Sequence, residues 1–178
     1  LSRGGVVPRE LGAGVQRKIG QGAVDEGGGI GRNGSMLYSI PEDLKRFKSI
    51  TMGKVLLMGR GTFFSLPGRK PLPGRINCVL SRNAAALREM YPASEWGPFF
   101  YPDAESFFAE HGDKSIMVIG GGEVYAQFMP MCSRAYVTEI GAKMPADAFF
   151  RLDGNWKCVA REPGNDPALH YDFCIYER

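Results

Sequence analysis

Apolar residues along this chain come in short bursts broken by glycine, proline and charge. Val55-Leu56-Leu57-Met58 and Ile116-Met117-Val118-Ile119 are uninterrupted, the pattern of strands buried on both faces. RAYVTEI at 134–140 instead alternates, as a half-buried strand does. With the turn residues between them, the pattern predicts strands over 54–58, 75–81, 99–101, 115–119 and 134–140, and two more over 156–161 and 171–177. Helices are predicted from 41 to a stop at 51–53, briefly after Gly59-Arg60-Gly61-Thr62, and over 84–90, 103–110 and 123–129. Ser39 reads as a cap for the first helix, with Pro41 in its opening turn and Glu42 and Asp43 near its positive end. The segment 19–24 is a poor strand, because Gly20, Gln21 and Gly22 interrupt it. Repeated strand–helix units predict one α/β domain: a central, mostly parallel sheet with an antiparallel C-terminal edge strand and helices on both faces.

A length of 178 residues fits a single domain. Residues 1–17 show neither helical nor strand periodicity and are expected to form a loose tail, whether native or an artefact of cloning or of the start site, ahead of a domain over 18–178. No apolar run approaches the ~20 residues that span a bilayer, and no stretch reads as a secretory signal. The net charge of +3 is too small for a duplex-binding surface but suits an anionic small molecule. Cys78, Cys132, Cys158 and Cys174 include no CxxC pair, so reduced thiols in a cytoplasmic protein are expected, with no metal site or disulfide framework. His111 and His170 stand apart from each other and from any nucleophile, which leaves no support for a Ser/His triad or a histidine metal site.

In open α/β sheets, ligands bind beyond the C-terminal ends of the strands. Three strand ends carry suitable residues: Met58-Gly59-Arg60-Gly61-Thr62, Leu80-Ser81-Arg82, and the glycines of Ile119-Gly120-Gly121-Gly122-Glu123. A glycine turn after one strand is commonly only a turn; three such ends on one small sheet point to a long, phosphate-bearing cofactor. Gly29-Ile30-Gly31-Arg32-Asn33-Gly34 matches the dinucleotide fingerprint as a string, but no helix opens inside it. It reads either as a glycine loop that closes over a ligand or as a plain surface turn. Asp43 lies on the first turn of a helix whose Leu44 and Phe47 are expected to face inward. It either complements the helix dipole or, with Glu42 facing water beside it, turns into an apolar cleft and forks two hydrogen bonds to a flat heterocycle.

In this order the residues resemble the dihydrofolate reductase family, over roughly 21–178. Gly29-Ile30-Gly31 with Met36 is similar to its mobile active-site loop, and Ile40-Pro41-Glu42-Asp43-Leu44-Lys45-Arg46-Phe47-Lys48 to its substrate helix. Met58-Gly59-Arg60-Gly61-Thr62, Pro71-Leu72-Pro73-Gly74-Arg75, Val118-Ile119-Gly120-Gly121-Gly122-Glu123-Val124-Tyr125, Tyr136-Val137-Thr138 and Ala146-Asp147 follow in its sequence of signatures. The resemblance implies NADPH-dependent reduction of 7,8-dihydrofolate to tetrahydrofolate, with hydride transfer to pterin C6 and protonation at N5. It implies that Asp43 grips the pterin 2-amino group and N3, that Thr138 hydrogen-bonds Asp43, and that Met36 gates the water carrying the proton. Tyr38 stands where tryptophan is usual. Around the folate it implies Gln21, Ala23, Leu44, Ser65, Leu66, Ile119 and Tyr125, with Phe47 and Leu72 sandwiching the rings. Arg75 would pair with the glutamate α-carboxylate, and Lys48 and Lys70 would assist at the rim.

Around NADPH the resemblance implies the Ala23 backbone at the carboxamide, with Ile30, Gly31, Ser35, Met36 and Gly59 nearby. Gly61, Thr62, Gly121, Gly122, Glu123 and Val124 would serve the phosphates, and Arg60, Leu80, Ser81 and Arg82 the 2′-phosphate. Ile119, Gly120 and Tyr125 would flank the nicotinamide, with Gly120–Gly121 as a cis peptide. The partners implied are dihydrofolate and antifolate inhibitors, with no nucleic acid or membrane, on a cytoplasmic monomer.

The first strand departs from the family's apolar one, with Gln21 where an aliphatic residue is expected; Leu37 also replaces a frequent proline. Two glycines and an amide are expected to weaken a central strand and expose its backbone acceptors. That opens a second reading, a catalytically impaired or inactive homologue that still binds folate and NADPH. A third, a riboflavin-pathway pyrimidine reductase of the same fold, has no need of an inward Asp43 or of Arg75. Pairing of 18–25 in the centre of the sheet is the observation that bears most on the strand.

Overall fold

The computed structural model describes residues 18–178; the tail expected over 1–17 lies outside the described residues. The first elements are β1 (Lys18–Asp25), β2 (Gly29–Arg32), β3 (Ser35–Met36), α1 (Pro41–Thr51), β4 (Val55–Gly59) and α2 (Arg60–Ser65). Then come β5 (Ile76–Leu80), α3 (Ala84–Met90), β6 (Phe99–Tyr101), α4 (Ala104–His111), β7 (Ile116–Gly120) and α5 (Gly122–Phe128). The chain closes with β8 (Arg134–Ile140), β9 (Ala148–Phe149), β10 (Lys157–Pro163) and β11 (Tyr171–Glu177). Eight strands make the main sheet in the order β10-β11-β8-β1-β7-β4-β5-β6; β11 alone runs antiparallel to both its neighbours, and the other ladders are parallel.

Strand alternation sends successive side chains to opposite faces. Val55, Leu57, Ile116, Val118, Ala135 and Val137 face α4 and α5, where Phe107, Phe108, Val124, Tyr125 and Phe128 cover them. Leu56, Met58, Val79 and Met117 face the other way, onto Phe63 of α2 and Ala84 and Leu87 of α3. Leu56, Leu57 and Met58 are fully buried, each worth roughly 2 kcal/mol in area removed from water. A smaller cluster of Ile40, Ile140, Tyr171 and Phe173 seats the start of α1. That cluster corrects the expected serine cap: Ile40, not Ser39, is the capping residue, and it makes no side-chain cap bond. Burial of Ile40 fixes the helix entry instead.

The glycine-bearing first strand lies in the middle of the sheet. β1 pairs with β8 from Ile19 to Asp25, and with β7 from Lys18↔Ile116 to Gly20↔Val118, so the glycines do not break the ladder. Beyond Gly20 the β1–β7 ladder stops, leaving one edge of β1 open through Ala23. The expected glycine loop is in fact a short hairpin, β2 on β3, with β9 paired to its other side. Among the described residues the four cysteines form no disulfide, and His111 is buried against Tyr101, whose hydroxyl lies 2.8 Å from Nε2.

Asp25, which sequence patterning did not single out, holds this end of the sheet together. One carboxylate oxygen accepts the amides of Gly27 (2.9 Å) and Gly29 (2.8 Å), and the other that of Met144 (3.0 Å). Burial pushes the carboxyl up, but the three amides outweigh it and hold it below its ordinary value. Such a group contributes stability above the unfolded carboxylate pKa that is lost as pH falls through the lower folded value. Asp25→Ala is therefore expected to cost about 3 kcal/mol at pH 7, a fall in Tm of roughly 6–12 °C. Calorimetry at pH 7 and pH 3 checks it: the gap between variant and wild type narrows at the lower pH.

Candidate active site

Asp43 sits half-buried on the first turn of α1. Across from it, Thr138 of β8 is 1% exposed and donates its hydroxyl to Asp43 Oδ1 at 2.5 Å. Ala23 stands in register beside Thr138. Burial raises the Asp43 carboxyl above its ordinary value; the Thr138 hydroxyl and the charge of Arg46 oppose this without cancelling it. Glu42, expected to face water, instead accepts the Asn165 amide (3.1 Å), the Asn165 side chain (2.9 Å) and the Tyr171 hydroxyl (2.5 Å). It pins α1 to the turn between β10 and β11. Leu44, expected to face inward, is 47% exposed, and Phe47 is half-buried outside the packed clusters. The helix carrying the acid thus keeps apolar surface free.

At the other end of α1, the Thr51 hydroxyl accepts from Arg75 Nη1 at 3.4 Å, and Arg75 Nε donates to the Pro73 carbonyl at 3.0 Å. Arg75 is 5% exposed, and among the described residues it has no carboxylate within ion-pairing distance. Burial lowers its pKa. Asn77, a fully buried amide inside the apolar β5, shapes this corner. Its Nδ2 donates to the carbonyls of Leu72 and Arg75, and its Oδ1 accepts the Leu72 amide. An amide in the middle of INCVL was the signal for it.

The strand ends expected to hold phosphates are neighbours. Gly59 pairs with Leu80, and Met58 with Gly120, so Arg60, Ser81-Arg82 and Gly121-Gly122 leave the sheet side by side. A side chain at Gly59 would meet Val124 at 3.2 Å, one at Gly121 would meet Thr62 at 3.7 Å, and one at Gly122 would meet the Phe149 carbonyl at 3.2 Å. The Gly120–Gly121 peptide is cis. Arg60 and Arg82 are exposed and form no ion pair among the described residues. Val124 and Tyr125 are buried, which leaves Val124 only its backbone to offer a ligand.

Other expected residues lie apart from this centre or are committed elsewhere. The Tyr38 hydroxyl points at Asp25 Oδ2, 3.5 Å away. Met36 is 64% exposed on β3, with Ser35 exposed beside it, and Ile30 packs into the α5-side core. Asp147 ties this hairpin down: its amide donates to the Gly31 carbonyl at 3.1 Å, and its carboxylate accepts the Asn33 amide at 2.8 Å. Ser65 donates to the Thr62 carbonyl, Leu66, Leu72 and Ile119 pack on the α2-side core, and Lys48 and Lys70 are exposed. Gln21 is in register with Tyr136. A cavity of about 520 Å³ opens on the opposite face of β8, lined by Val137, Glu139, Phe150 and Trp156, and includes none of Asp43, Thr138 or Arg75.

Residues 22–178 match the family model described as dihydrofolate reductase. The chain belongs to the dihydrofolate reductase family. This reductase is 39% identical over 142 residues to the dihydrofolate reductase type 3 of Salmonella typhimurium, covering 77% of this chain and 82% of that one. It is 41% identical over 114 residues to the dihydrofolate reductase of Mycobacterium leprae, covering 64% and 66%. A solved dihydrofolate reductase from Enterococcus faecalis, complexed with NADP(H) and RAB-propyl, superposes with a TM-score of 0.77 at 32% identity, over 91% of this chain and 96% of that one.

Proposed function

We propose that this chain reduces 7,8-dihydrofolate to 5,6,7,8-tetrahydrofolate with NADPH, with Asp43 as the acid that holds the pterin. One observation carries the reading: α1 presents a half-buried carboxylate in its first turn and, at Thr51, touches a buried guanidinium that has no acid partner among the described residues. Eight residues of helix separate them, about 12 Å along the axis. That spacing suits a molecule with a flat amino-substituted ring at one end and a carboxylate at the other. Leu44 and Phe47 offer apolar surface between the two.

Asp43 accepts two N–H bonds, from the 2-amino group and N3, and Thr138 fixes the carboxylate plane in which both are made. Its raised proton affinity keeps charge and proton in balance on the pterin side of the cleft. Bound NADPH supplies the hydride taken up at C6, while N5 gains a proton from water admitted past Met36. The residues present fit that cofactor: the β1 backbone at Ala23, past the end of the β1–β7 ladder, would hold the carboxamide, and Thr62 with the Gly120–Gly122 turn would hold the diphosphate. Arg60 and Arg82, at adjacent strand ends and in no ion pair among the described residues, are suited to a 2′-phosphate. Arg82→Ala is expected to raise KM for NADPH roughly 10–100-fold and to change KM for NADH less than threefold; initial rates with both cofactors check it.

The test of the function is NADPH oxidation with dihydrofolate by the purified chain between pH 5 and 8. Absence of turnover alongside tight NADPH binding would favour the inactive homologue, a reading that loses its motive once β1 is seen paired in the centre of the sheet. The reading also makes the protein a cytoplasmic monomer whose partners are small molecules, dihydrofolate and antifolates. Among the described residues no helix is long and apolar enough to cross a membrane.

A further inference from the structure

The two glycines of β1 are occupied positions rather than gaps. Gly20 and Gly22 share the face that α5 covers; a side chain at Gly20 would collide with the thioether of Met129. At Gly22, a Cβ would stand 2.5 Å from the Tyr125 hydroxyl oxygen and 3.2 Å from the ring carbon bearing it. The same phenol edge lies 3.2–3.3 Å from where a Cβ on Gly120, at the end of β7, would be. The ring stacks on Phe150 at 4.9 Å between centroids, tilted 39°. The pocket beside it, lined by Gly20, Gly22, Tyr125 and Met129 among others, has room for at most one water, about 10 Å³. The phenol lies under the place where β1 and β7 part, which is the open edge running to Ala23.

We propose that Gly22 is a positioning residue for this reductase: its missing side chain is the socket for the Tyr125 hydroxyl, and that socket sets the floor of the cofactor slot between β1 and the Gly120–Gly122 turn. This rests on the reading that NADPH binds there. A side chain at 22 pushes the phenol toward the slot, on the opposite side of β1 from the partners of Asp43, so cofactor binding suffers before folate binding does.

The experiment is a double-variant cycle on Gly22→Ala and Tyr125→Phe, read by NADPH and dihydrofolate Kd from fluorescence and by Tm. Gly22→Ala alone is expected to weaken NADPH binding roughly tenfold or more while changing dihydrofolate Kd less than about threefold. Made on top of Tyr125→Phe, where the nearest remaining contact is 3.2 Å, it changes NADPH Kd less than about threefold relative to that variant, and its Tm penalty shrinks. Equal losses in both backgrounds, or a dihydrofolate loss as large as the NADPH loss, overturn the proposal. Should Gly22→Ala fail to fold, folding of the double variant supports the socket and its failure overturns it. Wild type that binds no NADPH would refute the cofactor reading instead, while the Tm cycle would still report on the socket.

Discussion

Asp43→Asn is expected to lower kcat for dihydrofolate reduction roughly 100- to 10,000-fold at pH 7, the range lost with a positioned acid or base, and to leave NADPH Kd within about threefold. Asparagine keeps the acceptor that Thr138 reaches but cannot receive two N–H bonds as a carboxylate does. The same change is expected to raise Tm at neutral pH. Burial lifts the Asp43 carboxyl above its ordinary value in the folded chain. Its favourable contribution is then complete below the unfolded pKa and is lost as pH rises through the folded one. At pH 7 the wild type carries an ionised, half-buried group that the variant lacks, and the stability difference should close below about pH 4. The Asp43 inflection in kcat/KM, expected above the ordinary carboxylate range, should vanish with it. Equal loss of NADPH affinity and turnover would make Asp43 structural and refute its role.

Arg75→Met should act on substrate binding alone. Two charge-assisted hydrogen bonds to a carboxylate, at ~1.5–3 kcal/mol each in net terms, predict a KM for dihydrofolate raised about 100-fold or more, with kcat at saturation changed only a few-fold. A pterin substrate without the glutamate should show no difference between variant and wild type. The unliganded variant should be at least as stable, because Arg75 is buried, its pKa lowered by that burial, without an acid among the described residues to compensate. Tm with and without dihydrofolate reads both: the ligand-induced rise shrinks while the baseline holds. A similar rise in KM for the truncated substrate would place the effect in the fold of the Leu72–Arg75 corner instead.

Much of the architecture was legible from periodicity. β4, β6, β7, β8 and β11 fall where apolar runs or alternation put them, because their burial on one or both faces is written in consecutive side chains. β1 was the hard strand. Its residues read as weak since the atoms filling its glycines, in Tyr125 and Met129, come from more than a hundred positions away, and no local window reports that. The three-stranded sheet of β2, β3 and β9 was missed for the same reason: β9 is two residues long and exists only through its partner. Asp43 could be singled out from the acid pair on α1, but its contact with Thr138 spans 95 residues and came from family resemblance, not from spacing. Asp25 and Asn77 escaped because their work is holding backbone amides and carbonyls in loops whose shape is not periodic.

The anchor between Glu42 and the last hairpin has a consequence for synthesis. Tyr171 lies 129 residues downstream of Glu42, and the Arg46 guanidinium of α1 rests 4.6 Å over the ring of Phe173, on the same final strand. A nascent chain emerging from the ribosome therefore holds α1 long before β11, whose residues complete its anchoring. Premature termination short of β11 removes the Tyr171 and Phe173 contacts of that helix even though every residue proposed for chemistry has been translated.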